Sequence, residues 1–118
     1  MITLNQIADA VHQNAREKGF HVAESDDSFL ANQLNNLTGE VSELWESHRA
    51  GRLHELCDKA EKMEALGLEP LTCIEEEYAD IVIRALDQCR RLGVDIQRAI
   101  EIKHAFNKTR PYRHGKKN

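Results

Sequence analysis

Two pairs of acids stand three residues apart in this chain: Glu40 and Glu43 in "GEVSEL", and Glu77 and Asp80 in "EEYAD". On a helix, side chains at i and i+3 project from adjacent turns of one face, so each pair would stand together and repel. One such pair is common on a solvated helix and carries no message. Two pairs that each flank an apolar stripe are different, because packing the stripes together gathers four carboxylates at one place. Such a gathering is unfavourable without a cation. Hard oxygen donors in that number suit Mg²⁺ or Mn²⁺, which keep several waters and also bind substrate phosphates. Asp80 opens the apolar run Ile81-Val82-Ile83, a place where a carboxylate is tolerable if a metal neutralises it.

The opposite charge lies at the other end. Lys103, Asn107 and Arg110 recur at i, i+4 and i+7 on one helical face, followed by "PYRHGKK" with Tyr112 and His114. Lys, Arg, Tyr and His beside a glycine suit a polyphosphate, with Arg as a fork and Lys as a point charge. The last three residues read as a frayed, solvated terminus. Acidic helices to hold metal and a basic segment to hold phosphate follow the logic of metal-assisted phosphoryl chemistry. A di-iron bundle would need two Glu-x-x-His motifs, and only Glu101 to His104 offers one, so that reading is set aside.

These groups need elements to position them. At 118 residues the chain is one domain, 1–118, with one core. Its 41% hydrophobic and 31% charged residues describe an ordinary globular protein. No apolar run reaches membrane length, and the first residues lack a signal-peptide pattern, so the cytoplasm is the expected compartment. Cys57, Cys73 and Cys89 have no metal spacing and read as buried or idle thiols. Residues 1–102 carry 20 acids and 10 bases, whereas 103–118 carry six Lys or Arg and no acid. That split is open to a solvated tail, a nucleic-acid arm or a phosphate clamp.

Helical periodicity dominates, and no period-2 strand stands out. Leu4, Ile7, Ala8, Val11 and Ala15 line a first helix ending near Gly19. "SDDS" at 25–28 caps a long second helix, whose Leu30, Leu34, Leu37, Val41, Leu44 and His48 form an a/d-like seam closed by Arg49-Ala50-Gly51. A weaker patch follows with Leu53, Leu56, Cys57, Ala60 and Met63. Gly67 and Pro70 break it before Thr72 caps a third main helix over roughly 73–92. Asp95 caps the last helix, with Ile96, Ala99, Ile100 and Phe106 as expected core contacts. Pro111 ends it, and an irregular basic tail runs on from about 111. The expected fold is all-α: a compact bundle of four main helices plus a short variable one, assembling as an oligomer.

The third main helix motivates the oligomer. Glu76, Glu77, Asp80, Arg84, Asp87 and Arg91 fall within a sector about 100° wide, and nearly everything else is apolar. A helix so enclosed belongs at the middle of a bundle or in a subunit interface. Its polar stripe is then a strip of surface or the lining of a site.

"GEVSEL", then "EEYAD" before an apolar run, then "GVDI…A…K…N..R" and "RHGKK" together resemble the MazG-like all-α nucleotide pyrophosphohydrolases over most of residues 30–115. The resemblance implies Mg²⁺ held by Glu40, Glu43, Glu77 and Asp80. It implies attack of water on the α-phosphorus of a (deoxy)nucleoside triphosphate, releasing monophosphate and pyrophosphate in nucleotide-pool sanitation. It further implies triphosphate and sugar contacts from Lys103, Asn107 and Arg110, completed by Tyr112 and His114, in a homodimer or homotetramer whose sites draw on more than one subunit. The first motif departs from the common pattern, since Gly39 replaces one of two adjacent acids, as in some deoxynucleotide-hydrolysing relatives. Residues 49–72 match no motif.

For the base, Asn32 and Asn36 precede Glu40 on nearly the same side and could reach a base edge. Phe29 faces the acidic side and could stack. Trp45, 140° from Glu40 around the helix, belongs rather in the core or an interface. Two alternatives remain: phosphoribosyl-ATP pyrophosphohydrolase, and a non-catalytic helical oligomer binding nucleotide or nucleic acid through its basic tail. Nucleic acid is the less favoured partner, because a binding arm has no use for four acids.

Overall fold

Thr3, Ser25, Thr72 and Asp95 each cap a helix, their side-chain oxygens accepting from the backbone N–H of Gln6, Ser28, Glu75 and Arg98. These caps satisfy amides that the first helical turn leaves without partners and so fix where each main helix starts. At Thr3 and Thr72 the third helical residue, Gln6 or Glu75, bonds back to the cap N–H and closes a capping box. The computed structural model describes residues 1–21 and 24–116, with His114 described by its backbone alone. In chain order the helices are α1 (Leu4–Glu17), α2 (Asp26–Arg49), α3 (Ala60–Ala65), α4 (Cys73–Arg91) and α5 (Ile96–Lys108). The tail is not wholly irregular, since Tyr112–Gly115 form a 3₁₀ turn. Among the described residues there is no strand, only an isolated antiparallel bridge between Leu56 and Thr72.

The sequence-based expectation of an all-helical fold with four main helices and one short one is met, and α4 takes the central place. Both α1 and α2 pack along α4, while α5 touches α1. Asn5 makes that last junction, donating from Nδ2 to Asp95 and accepting at Oδ1 from the Gln97 amide. Buried Ala8, Phe29 and Leu86 mark the packing of the long helices. A second small core of Cys57, Ala60 and Cys73, packed against Met63 and Leu71, fixes the segment between α2 and α4. None of the three cysteines is in a disulfide.

Two expectations about packing are corrected. The α5 residues Ile96, Ala99, Ile100 and Phe106 do not form a core: α5 buries no residue, and Ile100 and Phe106 are about half exposed. The α2 seam is likewise only partly covered, with Leu34 and Val41 exposed. One chain supplies neighbours for one side of α2 and for little of α5. The patch 53–63 is helical only in α3, and turns precede it. No helix of the described residues is long and apolar enough to cross a membrane.

Candidate metal centre

The charged stripe of α4 faces inward. Glu76 and Asp87 are among the few buried polar residues in the described part of the chain, whereas Tyr78, Val82 and Ile83 are exposed. Turned toward α2, the stripe meets the acids of "GEVSEL". Carboxylate oxygens of Glu40, Glu43 and Glu77 lie within 4.8 Å of one another, close enough for one ion to touch all three. Asp80 stands beside them, and its charge bears on both Glu43 and Glu77. The four acids named from spacing are thus brought to one place by the packing of α2 on α4.

The electrostatics are those of a cluster with more acids than nearby cations. Burial first, then the charges of Glu43, Glu76, Asp80 and Glu40, push the Glu77 carboxyl up to about 7. Desolvation and the charge of Glu40 raise Glu43 as well. Asp80 is also raised, by burial, Glu40 and Glu76, against the pull of Lys59 and Arg84. Each shift means that a proton, or another cation, is drawn to the site. Oε2 of Glu77 is buried and has no hydrogen-bond partner, a situation that native structures seldom leave without a ligand, water or ion.

Two cations border the acids. Arg84 donates from Nε to Oε1 of Glu40 at 2.7 Å. Lys59 Nζ pairs with Oε2 of Glu76 at 3.2 Å. Glu76 is thereby a fifth acid of the cluster. Its place in the α4 stripe was visible in the sequence, but its partner on the segment before α3 was not.

A cavity of about 490 Å³ opens on one side of the cluster, between α1, α2 and α4. Glu40, Asp80 and Arg84 line its near end, and Asn14, Phe20, Gln33 and Asp87 line the rest with apolar Val11 and Ile83. Gln33, not Asn32, reaches this cavity from α2. Asn36 lies beside Glu40, Glu43 and Arg84 in an adjoining shallower cavity. Phe29 is not a stacking platform: it is fully buried, with His21 stacked on one side at 5.0 Å and the Arg91 guanidinium at 3.9 Å. Phe20, 62% exposed, is the aromatic residue at the cavity. Trp45 lies elsewhere, in an apolar groove with Val41, Leu44, Leu53, Ile74 and Tyr78.

The basic residues of α5 do not join the acids within one chain. Among the described residues, no hydrogen bond or ion pair links Lys103 or Asn107 to the cluster. Lys103 lies 5.0 Å and Arg110 5.7 Å over the Phe106 ring. Oδ1 of Asn107 is buried without a partner, and Tyr112 is 89% exposed. The side chain of His114 lies outside the described residues.

A second group of possible ligands, His12, His21 and Asp87, is satisfied internally. His12 Nδ1 and His21 Nε2 both lie 2.7 Å from Oδ1 of Asp87, and His21 Nε2 lies 2.9 Å from Oδ2. Arg91 Nη1, a donor, faces His21 Nδ1 at 3.5 Å, which leaves Nε2 to carry the proton given to Asp87. A metal on Nε2 would need the opposite tautomer. This group is a hydrogen-bonded tie between α1, the α1–α2 connection and α4.

No protein-family model matches the chain, and no curated protein or solved structure is detectably similar to it.

Proposed function

We propose that the protein is a divalent-metal-dependent nucleotide pyrophosphohydrolase that cleaves (deoxy)nucleoside triphosphates to monophosphate and pyrophosphate in the cytoplasm. The observation that carries this reading is the convergence of Glu40, Glu43 and Glu77, with a buried Glu77 oxygen that has no hydrogen-bond partner, beside a cavity that Glu40 and Asp80 line. The donor set fits Mg²⁺ or Mn²⁺: it is all oxygen, it is held by two packed helices, and burial and neighbouring acids raise the carboxyl pKa values of Glu77 and Asp80. Glu40, Glu43, Glu77 and Asp80 would hold the ion, which when bound neutralises phosphate charge and polarises a phosphoryl oxygen.

The residues of the chain supply the rest. The cavity lies within the roughly 300–1,000 Å³ typical of small-molecule sites and suits the nucleoside. Phe20 offers a face to the base, and the amides of Asn14 and Gln33 offer donors and acceptors to its edge. With the nucleoside there, the α-phosphate lies over the acids. Water oxygen bonds to the α-phosphorus, the bond from that phosphorus to the bridging oxygen breaks, and pyrophosphate departs. A cluster carboxylate accepts the proton of the water.

Lys103, Asn107, Arg110, Tyr112 and His114 enter this scheme from a second copy. The apolar residues left uncovered on α2, α4 and α5 support a homodimer or homotetramer. The test of the reading is a panel of nucleoside triphosphates incubated with Mg²⁺, with phosphate measured before and after added inorganic pyrophosphatase. Phosphate that appears only after that addition supports it. Phosphate without the added enzyme, or none in either case, rejects it.

A further inference from the structure

Residues 49–72 contain no motif, yet the fold brings part of that segment against the acidic cluster. Gly51, at φ 69, turns the chain out of α2. The backbone then runs antiparallel to the start of α4: Ile74 donates to the Leu53 carbonyl, Cys73 to Glu55, and Cys57 to Leu71. These bonds and the Leu56–Thr72 bridge set Arg52 and Lys59 at fixed places beside the first turns of α4.

Between this segment and the helices lies a polar cleft of about 380 Å³, lined by Glu43, Ser47, Arg52, Lys59, Glu76 and Glu77 among others. It meets the acidic cluster at different acids from the larger cavity. Glu40 and Asp80 line the larger cavity, whereas Glu43 and Glu77 line the cleft. The acids therefore form a ridge between a space with an apolar wall and a space with two cations.

The cations are not both consumed by the acids around them. Lys59 pairs with Glu76 and lies 3.6 Å from Asp58. The Arg52 side chain makes no hydrogen bond or ion pair among the described residues, although it borders a cleft containing four acids. It shares the cleft lining with the buried Cys73 at the start of α4. An arginine held on a hydrogen-bonded frame, left without a carboxylate, is suited to a planar two-point contact with phosphate oxygens.

Resting on the pyrophosphohydrolase reading, we infer that this cleft is the pyrophosphate end of the site. Arg52 and Lys59 hold the two terminal phosphates of a triphosphate laid across the acidic ridge, and the pyrophosphate leaves by the cleft. The segment without a motif is then the part of the same chain that binds the leaving group. Ser47, on the last turns of α2, adds a hydroxyl donor to the same wall.

Calorimetric titration of the full chain with pyrophosphate, at saturating Mg²⁺, tests this without turnover. The parent is expected to bind, and Arg52→Gln to weaken binding by about tenfold or more, the size of one charge-assisted contact. Its thermal midpoint is expected to be unchanged, because Arg52 is exposed and makes no ion pair among the described residues. Lys59→Gln is expected to weaken binding similarly, and Lys59→Arg, which keeps the Glu76 pair, to retain most of it. A parent that does not bind pyrophosphate, or an Arg52→Gln variant that binds it as tightly as the parent, would overturn the inference. Triphosphate turnover by the parent is scored separately. Its absence alongside Arg52-dependent pyrophosphate binding would reject the enzymatic reading and leave the anion cleft standing.

Discussion

Arg84 on α4 donates from Nε to Oε1 of Glu40 on α2 at 2.7 Å, across the helix pair that carries the acidic cluster. Only 13% of the Glu40 side chain is exposed, so its charge has little water to rely on. The guanidinium is a resident countercharge at one corner of a site that is otherwise short of them. Arg84→Gln is expected to lower unfolding stability by about 1.5–3 kcal/mol without metal, the range for hydrogen bonds to charged groups. Saturating Mg²⁺ should restore part of it. Urea unfolding with and without Mg²⁺ measures both, and a variant as stable as the parent would show that Glu40 has no need of this partner.

Glu77 makes stability depend on pH in a defined direction. The folded chain holds its proton up to about 7, against an ordinary value of 4.5. Folding therefore favours the protonated form. The resulting stabilisation is complete below about 4.5 and is lost as pH rises through about 7. Glu43 and Asp80 are raised too and act in the same sense. The metal-free melting temperature should decline over that window, and Glu77→Gln should flatten the decline. A melting temperature that rises through this window in the parent, or an equal slope in the variant, contradicts the assignment.

Asp80→Asn separates repulsion from chemistry. It removes one charge and keeps the shape, so the metal-free variant should be as stable as the parent or slightly more so. It should gain less from added Mg²⁺ in a thermal-shift series, and its turnover should fall by orders of magnitude. If Asp80 were only a solvated helix residue, neither the metal response nor the activity would change.

Much of the site was legible in the sequence because it rests on local spacing. The i, i+3 acid pairs, the Thr72 and Asp95 caps and the narrow α4 stripe are helix-period features, and the structure places each where the period does. Phe29 was misread because the wheel of α2 shows only which way it points. What buries it is His21, from the connection before the helix, and Arg91, sixty-two residues onward in the chain. Arg52 and Lys59 were invisible for the same reason: a backbone pairing with α4, not a periodic pattern, brings them to the acids. The apolar residues of α5 were read as core because periodicity reports that a face is to be covered without saying by what.

That uncovered face leads to a prediction about assembly. Sedimentation equilibrium should give a species at least twice the 13.5 kDa chain mass. Lys103→Ala should leave stability within about 0.5 kcal/mol of the parent, as for an exposed residue, yet lose activity. If Lys103 acts on the partner's acidic cluster, mixing inactive Lys103→Ala with inactive Asp80→Asn should restore some activity, because one site of a mixed dimer is intact. A 13.5 kDa species, or no recovery after subunit exchange, contradicts this arrangement.

The central claim, that the Glu40–Glu43–Glu77–Asp80 cluster directs water to the α-phosphorus of a nucleoside triphosphate, is tested most directly by where the oxygen of water ends. Turnover with Mg²⁺ in ¹⁸O-water, followed by ³¹P NMR and mass spectrometry, should yield monophosphate carrying one ¹⁸O and unlabelled pyrophosphate, with neither product formed by Asp80→Asn. Nucleoside diphosphate with orthophosphate, or label in the pyrophosphate, would contradict the account.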